Sequence, residues 1–354
     1  MLAGARILLT GATGRLGRCV AEELIRSGSE LTLLVRSNSP HAARDRIRTV
    51  LPPDVSMRQV TALCGDVTEP GFGIGERQRA RLRESVDIVV HAAATTSFSK
   101  PLEASRGVNV IAAENLIAFA ESAPLLRRVA HVSTAFVAGK RAGLVLESDL
   151  EHDSGFQNGY QQSKYEAELL VRSHLDRLPL VVFRPSIVLD AVESGALEHP
   201  SAFRVALELV RTGILPALPG SASTPVDLVT ERDAARAIAK LLFLATNGET
   251  YHVAGGARAP TLGSVVEPFR DVRYLGVEQF AWQVAKWKHE RPQLTRLLDR
   301  VECFIYELAY PKTFDTTHTE AALGEPVTTE DPLDSLHNPT TTVAELAQLG
   351  VRTL

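Results

Sequence analysis

Short apolar runs separated by stretches of helical period organise the first half of the chain. Residues 7–9, 31–35, 60–63, 86–90, 129–132 and 180–183 are compact runs rich in Val, Ile and Leu, each closed by Gly, Asp, Ser, His or Arg. Runs of that length with β-branched residues predict buried strands. Between them, apolar residues recur three or four positions apart: Val20, Leu24 and Ile25 after the first run, a helix over 43–51, Val108, Ile111, Leu116 and Phe119 over 106–120, and another helix over 160–175. Six alternations of strand and helix predict an α/β fold, a doubly wound parallel sheet with helices on both faces. Such sheets place their sites at the carboxyl ends of the strands.

Beyond residue 189 the pattern loosens. Gly/Pro-rich loops over 191–225 enclose a helix at 202–211, then a strand at 226–229, a helix at 234–244 and a strand at 251–254 follow. Positions 262–309 read as helical and carry Phe269, Phe280, Trp282, Trp287, Phe304 and Tyr306. Most of these aromatics are expected to pack in a core, with some lining an apolar channel. The Thr/Pro/Asp-rich tail from residue 312 is expected to wrap over the surface. The expected organisation is therefore a dinucleotide-binding unit over 1–190, rejoined by 226–260, and a smaller, mainly helical substrate-binding region over 191–225 and 261–354.

Composition narrows the function classes. With 354 residues, 45% hydrophobic, 23% charged and a net charge of −4, the chain has the make-up of a soluble globular protein and none of the basic bias of a nucleic-acid binder. Cys19, Cys64 and Cys303 lack metal-type spacing, so no metal site is expected, and three scattered thiols fit a reducing cytoplasm. The N-terminal apolar run is too short for a signal peptide, and the later apolar stretch at 234–245 is interrupted by Arg236 and Lys240, so no membrane span is expected.

Candidate chemistry lies where the strands end. Thr10-Gly11-Ala12-Thr13-Gly14-Arg15-Leu16-Gly17 joins the first strand to the first helix. The glycines allow a tight turn, close approach of backbone to a pyrophosphate, and packing of helix on strand, with the helix N-terminus facing the phosphates. Arg36 closes the second strand, where an acidic residue holds the ribose diol of NAD and a basic one favours the 2′-phosphate of NADP. With Arg15 it points to NADP(H), with NAD(H) as the alternative. Asp66, followed by Val67, either accepts from the adenine amine or caps a turn. Ala92, Ala93 and Ala94 offer small side chains at the rim. His91, directly after a buried strand, reads as a structural histidine before a catalytic one. Ser133 and Thr134 bring hydroxyls to the same rim. Tyr160 and Lys164 stand four residues apart at the start of a helix, on one face, where an ammonium near a phenol favours the phenolate and suits the pair to acid/base work.

Taken together with Asn109 and Arg184-Pro185-Ser186-Ile187-Val188, these motifs resemble the extended short-chain dehydrogenase/reductases, with their Rossmann-type sheet, in order and spacing over about residues 5 to 260. Residues 131–139, 159–168 and 184–188 are most similar to the branch of fatty acyl-CoA (male-sterility type) reductases and thioester reductase domains. The resemblance implies Thr134, Tyr160 and Lys164 as the catalytic trio, Ser133 as neighbour, Asn109 as support for the lysine, and NADPH held also by Pro185, Ser186 and Val188. It implies hydride transfer to a thioester, aldehyde or ketone of an acyl or polyketide-like apolar substrate, presented by CoA or an acyl carrier protein. A redox-neutral sugar-nucleotide epimerase or dehydratase, a hydroxysteroid-type dehydrogenase and a non-catalytic dinucleotide sensor are the competing readings. The dehydratase is disfavoured because Ala135-Phe136, not an acidic pair, follow Ser133-Thr134. The oligomeric state stays open, a homodimer included.

Overall fold

The computed structural model describes residues 4–189, 201–269 and 272–337. In chain order its elements are β1 (Arg6–Thr10), α1 (Arg15–Arg26), β2 (Glu30–Val35), α2 (Pro40–Val50), β3 (Val60–Cys64), α3 (Glu76–Arg83), β4 (Ile88–His91), α4 (Leu102–Glu121), β5 (Arg128–Val132), β6 (Gly143–Val145), α5 (Gly159–Arg172), β7 (Leu180–Pro185) and β8 (Ile187–Leu189). There follow α6 (Ala202–Arg211), β9 (Ala217–Pro219), β10 (Leu228–Thr230), α7 (Glu231–Leu244), β11 (Thr250–Val253), α8 (Leu262–Val266), β12 (Arg273–Leu275), α9 (Val277–Glu290), α10 (Thr295–Ile305), β13 (Lys312–Phe314), α11 (Thr317–Leu323) and α12 (Pro332–His337).

Seven strands form one sheet in the order β11-β7-β5-β4-β1-β2-β3, every pair parallel. The strand order reverses between β1 and β4, and the crevice at that point is where a doubly wound sheet receives its ligand. Both faces are covered. On one, Ile7, Leu9, Val90, Val181 and Phe183 pack against α1 and α7 through Val20, Leu24, Ile238 and Leu241. On the other, Leu8, Val89, Val129 and Val182 meet Leu116, Phe119 and Val171 of α4 and α5. Burial on both faces explains why these strands read as continuous apolar runs and not as alternating ones.

A separate core gathers α6, α8, α9 and α10, with Phe203, Leu209, Phe280, Val284, Leu298, Val301 and Phe304 buried. Three features differ from the sequence expectation. The stretch 262–309 is not helical throughout, because β12 interrupts it to pair with β9. The tail does not only wrap the surface: β13 pairs with β6, and Thr319 of α11 is fully buried. Residues 143–145, assigned no element from the sequence pattern, form β6. Strands of three residues are shorter than any periodicity can register. Residues 191–200 of the expected loops and 338–354 of the expected tail lie outside the described residues.

Candidate active site

The glycine loop is shaped by contact with backbone. Gly11 has φ 80°, and a Cβ there would lie 2.6 Å from the Ala92 carbonyl carbon and the Ala93 nitrogen. At Gly17 a Cβ would lie 2.2 Å from the Gly11 carbonyl oxygen, so the third glycine lets α1 close on the turn. Gly14 caps α1 without a side-chain hydrogen bond, and no acidic residue occupies the first turn. The free N–H groups and dipole of α1 therefore face the crevice as an anion site, which fits a pyrophosphate.

Residues 13–17 follow β1 and residues 92–94 follow β4, on the two sides of the reversal in strand order. Thr13, Leu16, Ala92, Ala93 and Ala94 are half-buried, and Gly14 and Arg15 are exposed. Thr10 stands behind it. Its fully buried hydroxyl meets His91 Nδ1 at 2.9 Å and accepts from the Ala93 N–H at 3.2 Å, bracing β1 against the end of β4. Arg36 is 78% exposed at the carboxyl end of β2, its guanidinium 3.9 Å from Asp66 across the strand ends. An exposed guanidinium at that point fits a 2′-phosphate. Asp66 caps a turn through Oδ1, which accepts from the Thr68 N–H at 2.9 Å and from the Thr68 hydroxyl at 2.8 Å, while Oδ2 faces Arg36. Val67 and Val188 are half-buried, and Pro185 and Ser186 are buried at the end of β7.

Thr134 follows β5, and Tyr160 and Lys164 lie in the first turns of α5, which Asn158 caps by accepting from the Gln161 N–H. All three side chains are buried. Burial, only partly offset by the neighbouring Thr134 hydroxyl, pushes the Tyr160 phenol up to about 12. Lys164 Nζ donates to the Val132 carbonyl at 2.9 Å. Burial lowers its ammonium to about 8, against the pull of Glu168. The expected ammonium-stabilised phenolate is thus not what the structure holds: desolvation governs Tyr160, and the lysine is anchored to β5. Tyr160 is a neutral phenol at every physiological pH, the state required of a proton donor.

Because the lysine pKa is depressed, its cation is present below about pH 8 and lost above it. Expected, then, is kcat/KM for the dinucleotide that declines above about pH 8, as measured between pH 6 and 10. A profile flat to pH 10 would contradict a role for the charged lysine.

Neighbouring residues have supporting parts. Ser133 does not reach the crevice as a second catalytic hydroxyl, because it donates to Glu168 Oε2 at 2.5 Å. Glu168 is fully buried and bridged by Arg184, also fully buried, at 2.5 Å. Asn109 lies in the interior of α4. It accepts from the Thr95 N–H at 2.8 Å and donates to Ser163 Oγ at 3.0 Å, tying the loop after β4 to the helix that carries Tyr160. His91 stacks on His131 at 5.6 Å, and burial holds it neutral, with a pKa of about 3, so it is structural.

The sequence reading missed Phe98, whose ring meets that of Tyr160 at 5.2 Å, and Gln161, which donates to the buried carboxylate of Glu307. Glu168, four residues beyond Lys164 on the same buried face, carried a readable signal. A carboxylate there requires a buried partner.

Sheet order, glycine loop and the Thr134–Tyr160–Lys164 grouping define an extended short-chain dehydrogenase/reductase. Within that class, the chain belongs to the male sterility protein family, whose model matches residues 9–238. It is 30% identical over 220 residues to a fatty acyl-CoA reductase of Drosophila melanogaster, covering 52% of this chain and 43% of that protein. It is 30% identical over 237 residues to the carboxylic acid reductase of Segniliparus rugosus, covering 59% of this chain and 20% of that one. The chain thus spans less than half the length of either curated relative. Among solved structures, the terminal R domain of the myxalamid PKS-NRPS pathway superposes with a TM-score of 0.80 at 27% identity, covering 98% of this chain and 92% of that one. Among the described residues no helix is long and apolar enough to cross a membrane, and no group of His, Cys, Asp or Glu could hold a metal ion.

Proposed function

We propose that this chain is an NADPH-dependent reductase of acyl thioesters or the derived aldehydes, presented on CoA or on a carrier protein. The observation that carries the reading is the buried Thr134–Tyr160–Lys164 group beside an uncapped helix N-terminus on the Gly11–Gly17 loop. The carrier-bound substrate is supported by the likeness to a PKS-NRPS R domain and to a fatty acyl-CoA reductase. We assign the substrate side to 191–225 and 261–354, because Phe304 of α10 reaches the ring of Phe98 beside Tyr160.

NADPH, when bound, supplies a hydride. The loop 11–17 and α1 would hold its pyrophosphate, Arg36 its 2′-phosphate and Lys164 the nicotinamide ribose. Tyr160 donates its proton to the substrate carbonyl oxygen as the carbon gains hydride, and the Thr134 hydroxyl gives that oxygen a second partner. A donor so placed is typically worth about 3–4 kcal/mol. With a thioester, the hydroxyl of the resulting hemithioacetal returns its proton to Tyr160 as the C–S bond breaks, and the aldehyde leaves with a thiolate that takes its proton from solvent. Phe98 and Phe136 meet edge-on and give the site an apolar wall.

The test is oxidation of NADPH, followed by absorbance, with acyl-CoA, acyl-carrier and aldehyde substrates. Turnover of at least one supports the reading, and inertness with all of them overturns it. Arg36→Ala is expected to weaken NADPH binding by about tenfold, equivalent to about 1.4 kcal/mol, and to leave NADH unchanged. Steady-state kinetics with both dinucleotides measure this, and equal losses for the two would remove Arg36 from the 2′-phosphate.

A further inference from the structure

The catalytic phenol is roofed by an aromatic ladder whose first rung lies on a loop. Phe98, in the segment between β4 and α4, sets its ring at 66° to Tyr160 with centroids 5.2 Å apart. The same ring stacks on Phe304 of α10 at 6.0 Å and 23°, and meets Phe136, two residues after Thr134, edge-on at 6.4 Å. Phe304 continues to Phe203 of α6 at 5.6 Å. Four segments distant in sequence thus meet in one aromatic cluster that touches the Tyr160 ring through Phe98.

The cavity beside this ladder, lined in part by Phe136, Ile187, Phe304 and Leu308, is only about 30 Å³. That admits about one water and no acyl chain. Its walls combine apolar side chains with Asp227, Tyr310 and the paired Glu307 and Lys312. Phe304 and Phe203 are buried among helices, whereas Phe98 is only partly buried and belongs to no helix or strand. Among these rings Phe98 is set apart by its place on a loop and its partial exposure.

We propose that Phe98 is a gate and the acyl-selectivity residue of this site: its ring closes the approach to Tyr160, and the substrate's acyl chain enters by parting Phe98 from Phe304 and lying between them. The inference rests on the reductase reading above. A flat or extended chain is accepted between the two rings, and a group branched next to the carbonyl is rejected by Phe98 on one side and Phe136 on the other. Aromatic faces add contact energy to either alkyl or aryl chains.

The experiment compares wild type, Phe98→Ala and Phe98→Trp on acyl-CoA thioesters of linear chains from four to sixteen carbons and on chains branched at the second carbon. Melting temperature and the Kd for NADPH are measured alongside. The expected result for Phe98→Ala is a rise of about tenfold or more in the branched-to-linear ratio of kcat/KM, with unchanged NADPH affinity. Phe98→Trp is expected to lower that ratio. A wild-type enzyme active on these substrates whose selectivity is the same in both variants overturns the gate and leaves the reductase reading standing. A uniform loss on every substrate also overturns it, since that is the mark of a ring that merely supports Tyr160. Should Phe98→Ala not fold, Phe98→Leu, which retains bulk but no ring face, is read by the same ratio. A wild type that oxidises no NADPH with any thioester or aldehyde removes both readings together.

Discussion

Replacing Tyr160 by Phe is expected to lower kcat/KM for carbonyl reduction by about 10²- to 10⁴-fold, the usual contribution of a positioned proton donor. The change deletes only the hydroxyl. The ring, buried against Phe98, and the helix cap at Asn158 remain. Affinity for NADPH and the melting temperature should therefore stay near wild type, and the loss should appear in kcat. Burial sets the direction: a phenol pushed up to about 12 donates to an oxygen that gains charge only as hydride arrives, and does not ionise in the resting state. Steady-state kinetics and a binding titration separate the two effects. A variant that retains more than a tenth of wild-type kcat would show that the proton comes from elsewhere.

Arg184→Met is expected to destabilise the protein by about 3–5 kcal/mol, the cost of leaving a buried carboxylate without its cation. The guanidinium contacts both oxygens of Glu168, at 2.5 to 3.2 Å, and also reaches the Glu147 carbonyl at 3.3 Å. With both side chains fully buried, solvent offers no substitute. Glu168 in turn receives Ser133, so the pair fixes the end of β5 from which Thr134 projects. Urea unfolding measures the loss. The double variant Arg184→Met/Glu168→Gln should recover part of it, since no charge is then stranded. A double variant as unstable as the single one would mean that packing around Arg184, and not the charge pair, carries the effect.

These two side chains mark what the sequence could and could not tell. Tyr160 and Lys164 are four residues apart on one helix, and the glycine loop is continuous in sequence, so local spacing sufficed to find both. The strands were legible because burial on two faces forces apolar runs. Arg184 was read as the end of a strand beside a cofactor, but its partner lies 16 residues away and its neighbour Glu147 lies 37 away. Glu147 itself caps α11, accepting from the His318 and Thr319 N–H groups 171 and 172 residues later. Periodicity tells which face of an element is buried, not what meets it from that distance. The same reason hid Phe98, whose neighbours Tyr160 and Phe304 come from α5 and α10. The lysine's influence on the tyrosine was misjudged because spacing gives proximity and says nothing of desolvation, which decides both pKa values here.

The central claim is hydride transfer from NADPH to an acyl carbonyl within this site. The direct measurement is turnover of an acyl-CoA thioester with NADPH deuterated at nicotinamide C4, followed by mass spectrometry of the product. The account predicts deuterium on the former carbonyl carbon with wild-type protein and almost none with Tyr160→Phe. Unchanged thioester with no label in any product, under conditions where NADPH binds, would contradict it.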